Sequence, residues 1–274
     1  MDFKDINNRP TLLNKIDSLT NDLNLYLKGQ VNRDDTYKKA ALLYYWLRDY
    51  KAYMKNEDKF NSKYMPEFER GSIVNVNFGF NVGNEFGGLH YAVVLAKSSK
   101  TNNTLMVLPL KSHKDNGKPL HKTELALGTE LYNRLLGKYT ALKVSIFDNI
   151  KKVNQANDEL QKRIDLMQSL DADASPQSRS AWDALKAQAD LEDSMLMKSL
   201  SDLSEQSDNL DRIWNELSKL KKGSIAVVGQ VKTISKMRVK SPTSTSDVLY
   251  GIKLSSENMQ AIDDKIIEIY TNKY

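Results

Sequence analysis

From Pro10 onward, Leu12, Ile16, Leu19, Leu23 and Tyr26 step by three and four, which places them on one face of a helix. A second helix is predicted from about Asp34 to Met54, with Ala40, Tyr44, Leu47 and Met54 on one stripe and Tyr45, Trp46 and Tyr50 beside it. Asn32, Arg33 and Asp34 offer caps at its start, so the two helices read as an N-terminal hairpin. Past Pro66 the period changes: Val74, Val76 and Phe78 alternate with Ile73, Asn75 and Asn77, as in a half-buried strand. Further strand-like runs cover residues 89–97, 104–110 and 123–127, with Gly-, Asn- and Ser-rich turns between them, and predict a short-stranded antiparallel sheet.

Between Gly137 and Lys222 the spacing turns helical again. Leu142, Ile146, Ile150, Val153, Leu160, Ile164 and Met167 form one narrow seam. Residues 171–178, containing Pro176, interrupt it, and a second seam runs through Trp182, Leu185, Ala189, Leu196, Leu200, Leu203, Leu210, Trp214 and Leu217, with Asp193 and Ser207 at two seam positions. Two such segments joined by a short loop predict an antiparallel helical hairpin. It either packs on itself or joins a second copy in a four-helix bundle, and the shortage of other apolar surface to cover its second face favours a homodimer. Strand character resumes at 224–228, 230–235 and 248–254, so the sheet is interrupted by the hairpin. Ser255 or Ser256 then caps a last helix carrying Met259, Ile262, Ile266 and Ile269 on one side. The expected division is 1–68, an N-terminal helical region; 69–136, a first part of the β domain; 137–222, the inserted hairpin; and 223–274, the rest of the β domain with its C-terminal helix.

With 274 residues, 40% of them hydrophobic, the chain is long enough to bury a substantial core. The absence of cysteine excludes disulfides, thiolate catalysis and zinc–thiolate sites, and three dispersed histidines give no zinc spacing. The opening MDFKDINNRP lacks a signal-peptide apolar run, and nothing later approaches the roughly 18 apolar residues of a membrane span, which points to the cytoplasm and away from membranes. The net charge of +5 is unevenly spread. Residues 137–222 hold 13 Lys/Arg against 15 Asp/Glu, leaving 27 against 20 elsewhere, so the basic excess belongs to the β domain and the N-terminal helices. A basic excess of this kind fits a polyanion partner or a solvated surface. No phosphate-binding glycine loop follows a strand, and no Gly-x-Ser-x-Gly elbow is present.

Three blocks narrow the possibilities. Arg70-Gly71-Ser72-Ile73-Val74-Asn75-Val76-Asn77-Phe78 leads into Asn84-Glu85-Phe86-Gly87-Gly88-Leu89-His90-Tyr91-Ala92-Val93-Val94-Leu95. Val107-Leu108-Pro109-Leu110-Lys111-Ser112 follows, and Gly229-Gln230-Val231-Lys232-Thr233-Ile234-Ser235-Lys236 lies beyond the hairpin. Together they resemble the MazF/PemK toxins of type II toxin–antitoxin systems. That family shows a strand introduced by Arg-Gly, a Gly-Ser-Glu-x-Gly-Gly-x-Arg-Pro loop, a strand ending in a Thr/Ser turn, and a Gln-Val/Ile-Arg-Thr-Ile-Asp-Lys block. Glu85, Gly87 and Gly88 fall on matching positions. His90 stands where the family has its catalytic Arg, Tyr91 where Pro is usual, and Lys111 at the catalytic Thr, with the Ser112 hydroxyl adjacent. The resemblance covers residues 70–130 and 223–270.

The resemblance implies an α+β fold built on an SH3-like antiparallel β-barrel, here with N-terminal helices, an inserted helical hairpin and a C-terminal helix. It also implies a metal- and cofactor-independent endoribonuclease acting on single-stranded RNA, in a toxin–antitoxin or phage-defence setting, held in check by an antitoxin or other inhibitor. Cleavage through the 2′-hydroxyl needs a base, an acid and a cation or donor for the phosphorane. On that basis His90 is the expected base or acid, Lys111 and Ser112 the phosphate contacts, and Glu85 an orienting group or second acid–base. Gly87 and Gly88 would let the backbone approach a phosphate, while His113, Lys114, Lys232, Lys236 and Arg238 are candidate RNA contacts. The basic cluster spanning Lys111, His113, Lys114, Lys118, His121 and Lys122 is either an RNA-facing loop or a solvated turn. The tyrosines and tryptophan of the second helix are either core or a base-stacking platform. Two other functions remain open: a non-catalytic nucleic-acid- or protein-binding module with the hairpin as an assembly arm, and a toxin acting on a protein target such as a topoisomerase.

Overall fold

The computed structural model describes residue 2 and residues 4–113, 119–171 and 175–271. Two helices open the chain, α1 (Arg9–Val31) and α2 (Asp34–Asn56), joined through the Thr36 hydroxyl, which donates to the Gln30 carbonyl. The sheet then takes up β1 (Ile73–Asn77), β2 (Leu89–Val94), β3 (Thr104–Ser112) and β4 (Glu124–Gly128). The hairpin α3 (Glu130–Asp171) and α4 (Pro176–Lys219) follows, and the sheet resumes with β5 (Ser224–Val227), β6 (Lys232–Ser235) and β7 (Val239–Ser241) before α5 (Ser256–Tyr270). The fold is α+β, with a barrel-like antiparallel sheet in the order β4-β5-β3-β2-β1-β7 and β6 also paired to β3.

Alternation explains the sheet's two cores. Val74, Val76, Ala92, Val94, Leu105 and Val107 pack with Met65, Phe68, Phe78, Ile234 and Val239 on one face. Ile73, Val93, Leu108, Leu110 and Ala226 pack on the other with Leu131 and Leu135 of α3, Leu217 of α4 and Met259 and Ile262 of α5. Because both faces are covered, β2 reads as a nearly continuous apolar run and not as alternating polar and apolar residues.

Three expectations need correcting. The hairpin begins at Glu130, before Gly137: Leu131 and Leu135 belong to the barrel core, and Gly137 sits inside the helix with open space around it. Residues 248–254 form no strand. Gly251, at φ +79°, turns the chain, and only a short bridge joins Lys253 to Ser72, flanked by Ile73 N–H donating to the Ile252 carbonyl and Leu254 N–H to the Gly71 carbonyl. The edge strand is instead β7, in the basic stretch 239–241, where no alternation marks it.

The hairpin seam also shifts. Leu160, Ala189 and Leu196 are buried with Val153, Ile164 and Met167 beside them. Closer to the barrel Ile213 and Leu217 are buried, while Trp214 is about half exposed, its ring tilted against that of Tyr139 with centroids 5.4 Å apart. The polar seam residues are Glu192, bound through both carboxylate oxygens by Arg163 at 2.8 Å, and Gln206, which accepts from Asn149 at 3.1 Å. They lie one position before Asp193 and Ser207. After each of Ala189, Leu203 and Leu210, the next seam residue comes three positions on, not four. The seven-residue repeat of Ala189, Leu196, Leu203, Leu210 and Leu217 is kept, and only its companion positions differ, falling on Glu192, Gln206 and Ile213.

Candidate active site

β1 and β2 stay paired from Ile73–Val93 to Asn77–Leu89, but β2 and β3 pair only at Ala92–Pro109, Val93–Leu108 and Val94–Val107. Beyond that point β3 turns its other edge to β5, with Leu110, Lys111 and Ser112 opposite Ala226, Ile225 and Ser224. The strands part, and residues 89–91 and 110–112 flank a cleft of about 820 Å³ whose further walls are the base of α4 and the segment 240–248. His90, Lys111 and Ser112, scattered in the sequence, line this one cleft.

His90 is half-buried, its ring 4.6 Å from that of Phe86. Burial lowers its pKa, so the neutral imidazole, a proton acceptor, prevails near neutral pH. The Lys111 ammonium donates to Glu124 Oε1 at 2.5 Å, and Glu124 is the more buried of the two. Ser112 is exposed at the end of β3. Next to His90, the Tyr91 hydroxyl donates to Glu216 Oε1 on α4 at 2.5 Å. Burial first, and the bond to Glu216 second, raise the Tyr91 pKa and keep the phenol protonated. Lys138 fixes the hairpin from its other helix, donating to the Val248 carbonyl at 2.8 Å and the Tyr250 carbonyl at 3.0 Å. The hairpin is thus held to the barrel on both helices, and α4 forms a fixed wall of the cleft.

The other expected site residues lie elsewhere. Glu85 is exposed and lines a separate shallow depression with Asn84, Gln230 and Lys232. The loop carrying it is held from beneath. Gln230 accepts from the Phe86 amide at 2.6 Å and donates to the Asn84 carbonyl, and Lys232 Nζ donates to the Phe86 carbonyl at 3.0 Å. Gly87 and Gly88 have a local reason to be glycine: a Cβ on Gly87 would lie 2.7 Å from the Gly79 carbonyl oxygen, and Gly88 adopts φ +87°. Arg238 donates to the Phe78 carbonyl at 3.4 Å and lies over the Trp46 ring at 5.2 Å, so it serves to dock α2. His113 is exposed just past β3, and Lys114 lies outside the described residues. Lys236 is wholly buried, its ammonium donating to the Ser99 carbonyl at 2.7 Å, so it cannot contact RNA. The aromatic residues of α2 divide: Trp46 and Tyr53 are half-buried beside Arg238 and Lys240, and Tyr44, Tyr45 and Tyr50 are exposed.

Sequence reasoning missed Glu124, Glu216 and the cations of α4. Glu124 sits at the start of a strand-like run, but its pairing with Lys111 crosses the sheet by way of β5. Glu216 lies on the polar side of an amphipathic helix, where an acidic residue carries no signal of its own. Among the described residues no group of His, Asp and Glu is arranged to hold a metal ion, and no helix is long and apolar enough to cross a membrane.

Residues 69–166 match a family model described as a PemK-like, MazF-like toxin of a type II toxin–antitoxin system. The match starts just before β1 and ends within α3; α4, β5, β6, β7 and α5 lie beyond it. The curated proteins contain no match to the chain.

Proposed function

We propose, from the match of residues 69–166 to a PemK-like, MazF-like toxin model, that the chain is an endoribonuclease that cuts single-stranded RNA without a metal, in the cytoplasm, as the toxin of a toxin–antitoxin or phage-defence pair. The observation that carries this reading is the cleft at the parted ends of β2 and β3, which gathers His90, Lys111 and Ser112. Neutral His90 accepts the proton of the ribose 2′-hydroxyl, the 2′-oxygen bonds to phosphorus, and the bond from phosphorus to the 5′-oxygen breaks. The Lys111 ammonium, held by Glu124, faces the phosphorane charge and protonates the leaving 5′-oxygen. The Ser112 hydroxyl donates to a non-bridging oxygen. The products are a 2′,3′-cyclic phosphate and a 5′-hydroxyl.

Long messenger RNA incubated with the protein under chelator gives discrete fragments with these ends, and His90→Ala abolishes them. RNA left intact at high protein concentration would refute cleavage. The Lys111–Glu124 pair supports a second reading, in which the neutralised lysine leaves a binding cleft without catalysis. Retention of RNA without cleavage, and no growth defect on overexpression, identifies that case.

Partners follow from the same premise. An antitoxin is expected for a type II toxin. A homodimer is supported by the exposed apolar residues Phe147, Leu191 and Met195 along the hairpin. Light scattering at micromolar concentration gives twice the chain mass if this is right, and the monomer mass if it is not.

A further inference from the structure

We propose that the inserted hairpin is part of the substrate site, and that Arg212 and Lys219 of α4, with Lys221 and Lys240, grip the phosphates of single-stranded RNA on either side of the scissile bond. The inference rests on the ribonuclease reading and extends it to residues outside the stretch matched by the family model.

All four cations line the same cleft as His90, Lys111 and Ser112. The two acidic residues that line it are already engaged. Asp247 accepts from the Ser241 hydroxyl at 2.5 Å and the Thr243 amide at 3.1 Å, and Glu216 accepts from Tyr91. Arg212 and Lys221 make no ion pair among the described residues. Lys219 meets Glu216 only at 3.8 Å with its side chain 72% exposed, and Lys240 meets Asp49 only at 3.7 Å, pairs that contribute little in water. The cleft therefore presents spare positive charge from both the barrel and the hairpin. A polyanion threading between them meets cations on both walls. Tyr91 and Lys138 fix the spacing of those walls, so the grip is set before RNA arrives. Arg212 offers a planar fork that matches a phosphate in two bonds, and the lysines act as point charges.

The test uses the full chain in a His90→Ala background, so that RNA stays intact, with a fluorescent 20-nucleotide single strand of mixed sequence. Affinity is measured across a series of salt concentrations. Adding Arg212→Gln and Lys219→Gln weakens binding roughly tenfold near 0.1 M salt. It also makes the dependence of log affinity on log salt shallower by about 1.4, the value for two phosphate contacts on a single strand. Both side chains are exposed, so helicity and melting stay at the parent values. If the double variant melts early, Lys219→Gln alone carries the test, with a slope shallower by about 0.7. An unchanged affinity and slope in a folded variant overturns the hairpin's role and leaves the ribonuclease reading standing. If the unsubstituted chain neither cuts nor retains RNA, both readings fall.

Discussion

At position 90 a histidine stands where the resemblance places an arginine, and its environment decides which protonation state it holds. Burial beside Phe86 disfavours the imidazolium, so the folded pKa lies below the ordinary value of about 6.5. With His90 as the proposed base, cleavage is expected to rise as pH increases through that lowered value and to be level by neutral pH. A pH–rate profile whose acidic limb has its midpoint at or above 6.5 would contradict the assignment of His90 as base. Lys236 makes the opposite case. Its charge invites an RNA role, yet it is enclosed and serves the Ser99 carbonyl. Lys236→Met should cost about 1–3 kcal/mol in unfolding free energy by leaving that carbonyl unpaired, while RNA affinity in the folded fraction stays unchanged. Charge is legible in a sequence and burial of a charge is not, so Lys236 reads by type as an RNA contact although the fold encloses it. Lys111 was legible, but Glu124, its partner, was not, because their contact crosses strands that the sequence does not order.

Among the elements, strand positions in the barrel followed from alternation wherever one face of a strand is polar, as in β1. They failed where turn chemistry or charge masked the pattern, as at 248–254 and β7. The hairpin is legible as a hairpin but not in its exact facing, since the seven-residue repeat through Ala189, Leu196, Leu203, Leu210 and Leu217 leaves open whether its companions lie three or four positions further on. Ile213→Ala is expected to cost about 2–5 kcal/mol, as for a buried isoleucine, and Trp214→Ala much less. Denaturant unfolding of the two variants measures this, and the reverse order would restore the facing through Trp214. The junction of α3 and α5 carries another expectation. Burial pushes the Glu130 pKa up, but bonds from Asn258, Arg134 and Ser255 outweigh it and hold the carboxylate below its ordinary value. Because the folded pKa is depressed, Glu130 contributes stability above the unfolded value, and that contribution disappears as pH falls through the folded one. Glu130→Gln should lower stability at pH 7 by about 1–3 kcal/mol, with the gap to the parent chain closing at pH 3.

For the whole molecule, the cleft exists only because three regions distant in sequence meet: the parted strands, the foot of α4 and the segment before α5. Neither the family motif nor periodicity contains that information, so the sequence alone points to the barrel and leaves the hairpin as an appendage. The N-terminal pair is attached differently. α1 has no buried residue, while α2 reaches the barrel through Trp46 over Gly79 and the Asp49–Asn77 hydrogen bond. A chain beginning at Asp34 is expected to melt within about 2 °C of the full-length protein and to keep its RNA affinity. A larger loss would show that α1 is covered in solution by something it stabilises.

The attachment of the hairpin between β4 and β5 also bears on how the chain folds. Gly128 and Ser224 are neighbours in the sheet, with a long stretch of chain between them. Closing so large a loop from a disordered chain is entropically slow, and non-local pairings of this kind govern folding rates. Two helices that zip locally remove most of that search, because their feet emerge side by side with the ends of β4 and β5 attached. The hairpin is therefore expected to act as a splint during folding, besides forming one wall of the finished cleft. Substitutions at its foot, such as Ile213→Ala, should retard refolding more than they accelerate unfolding.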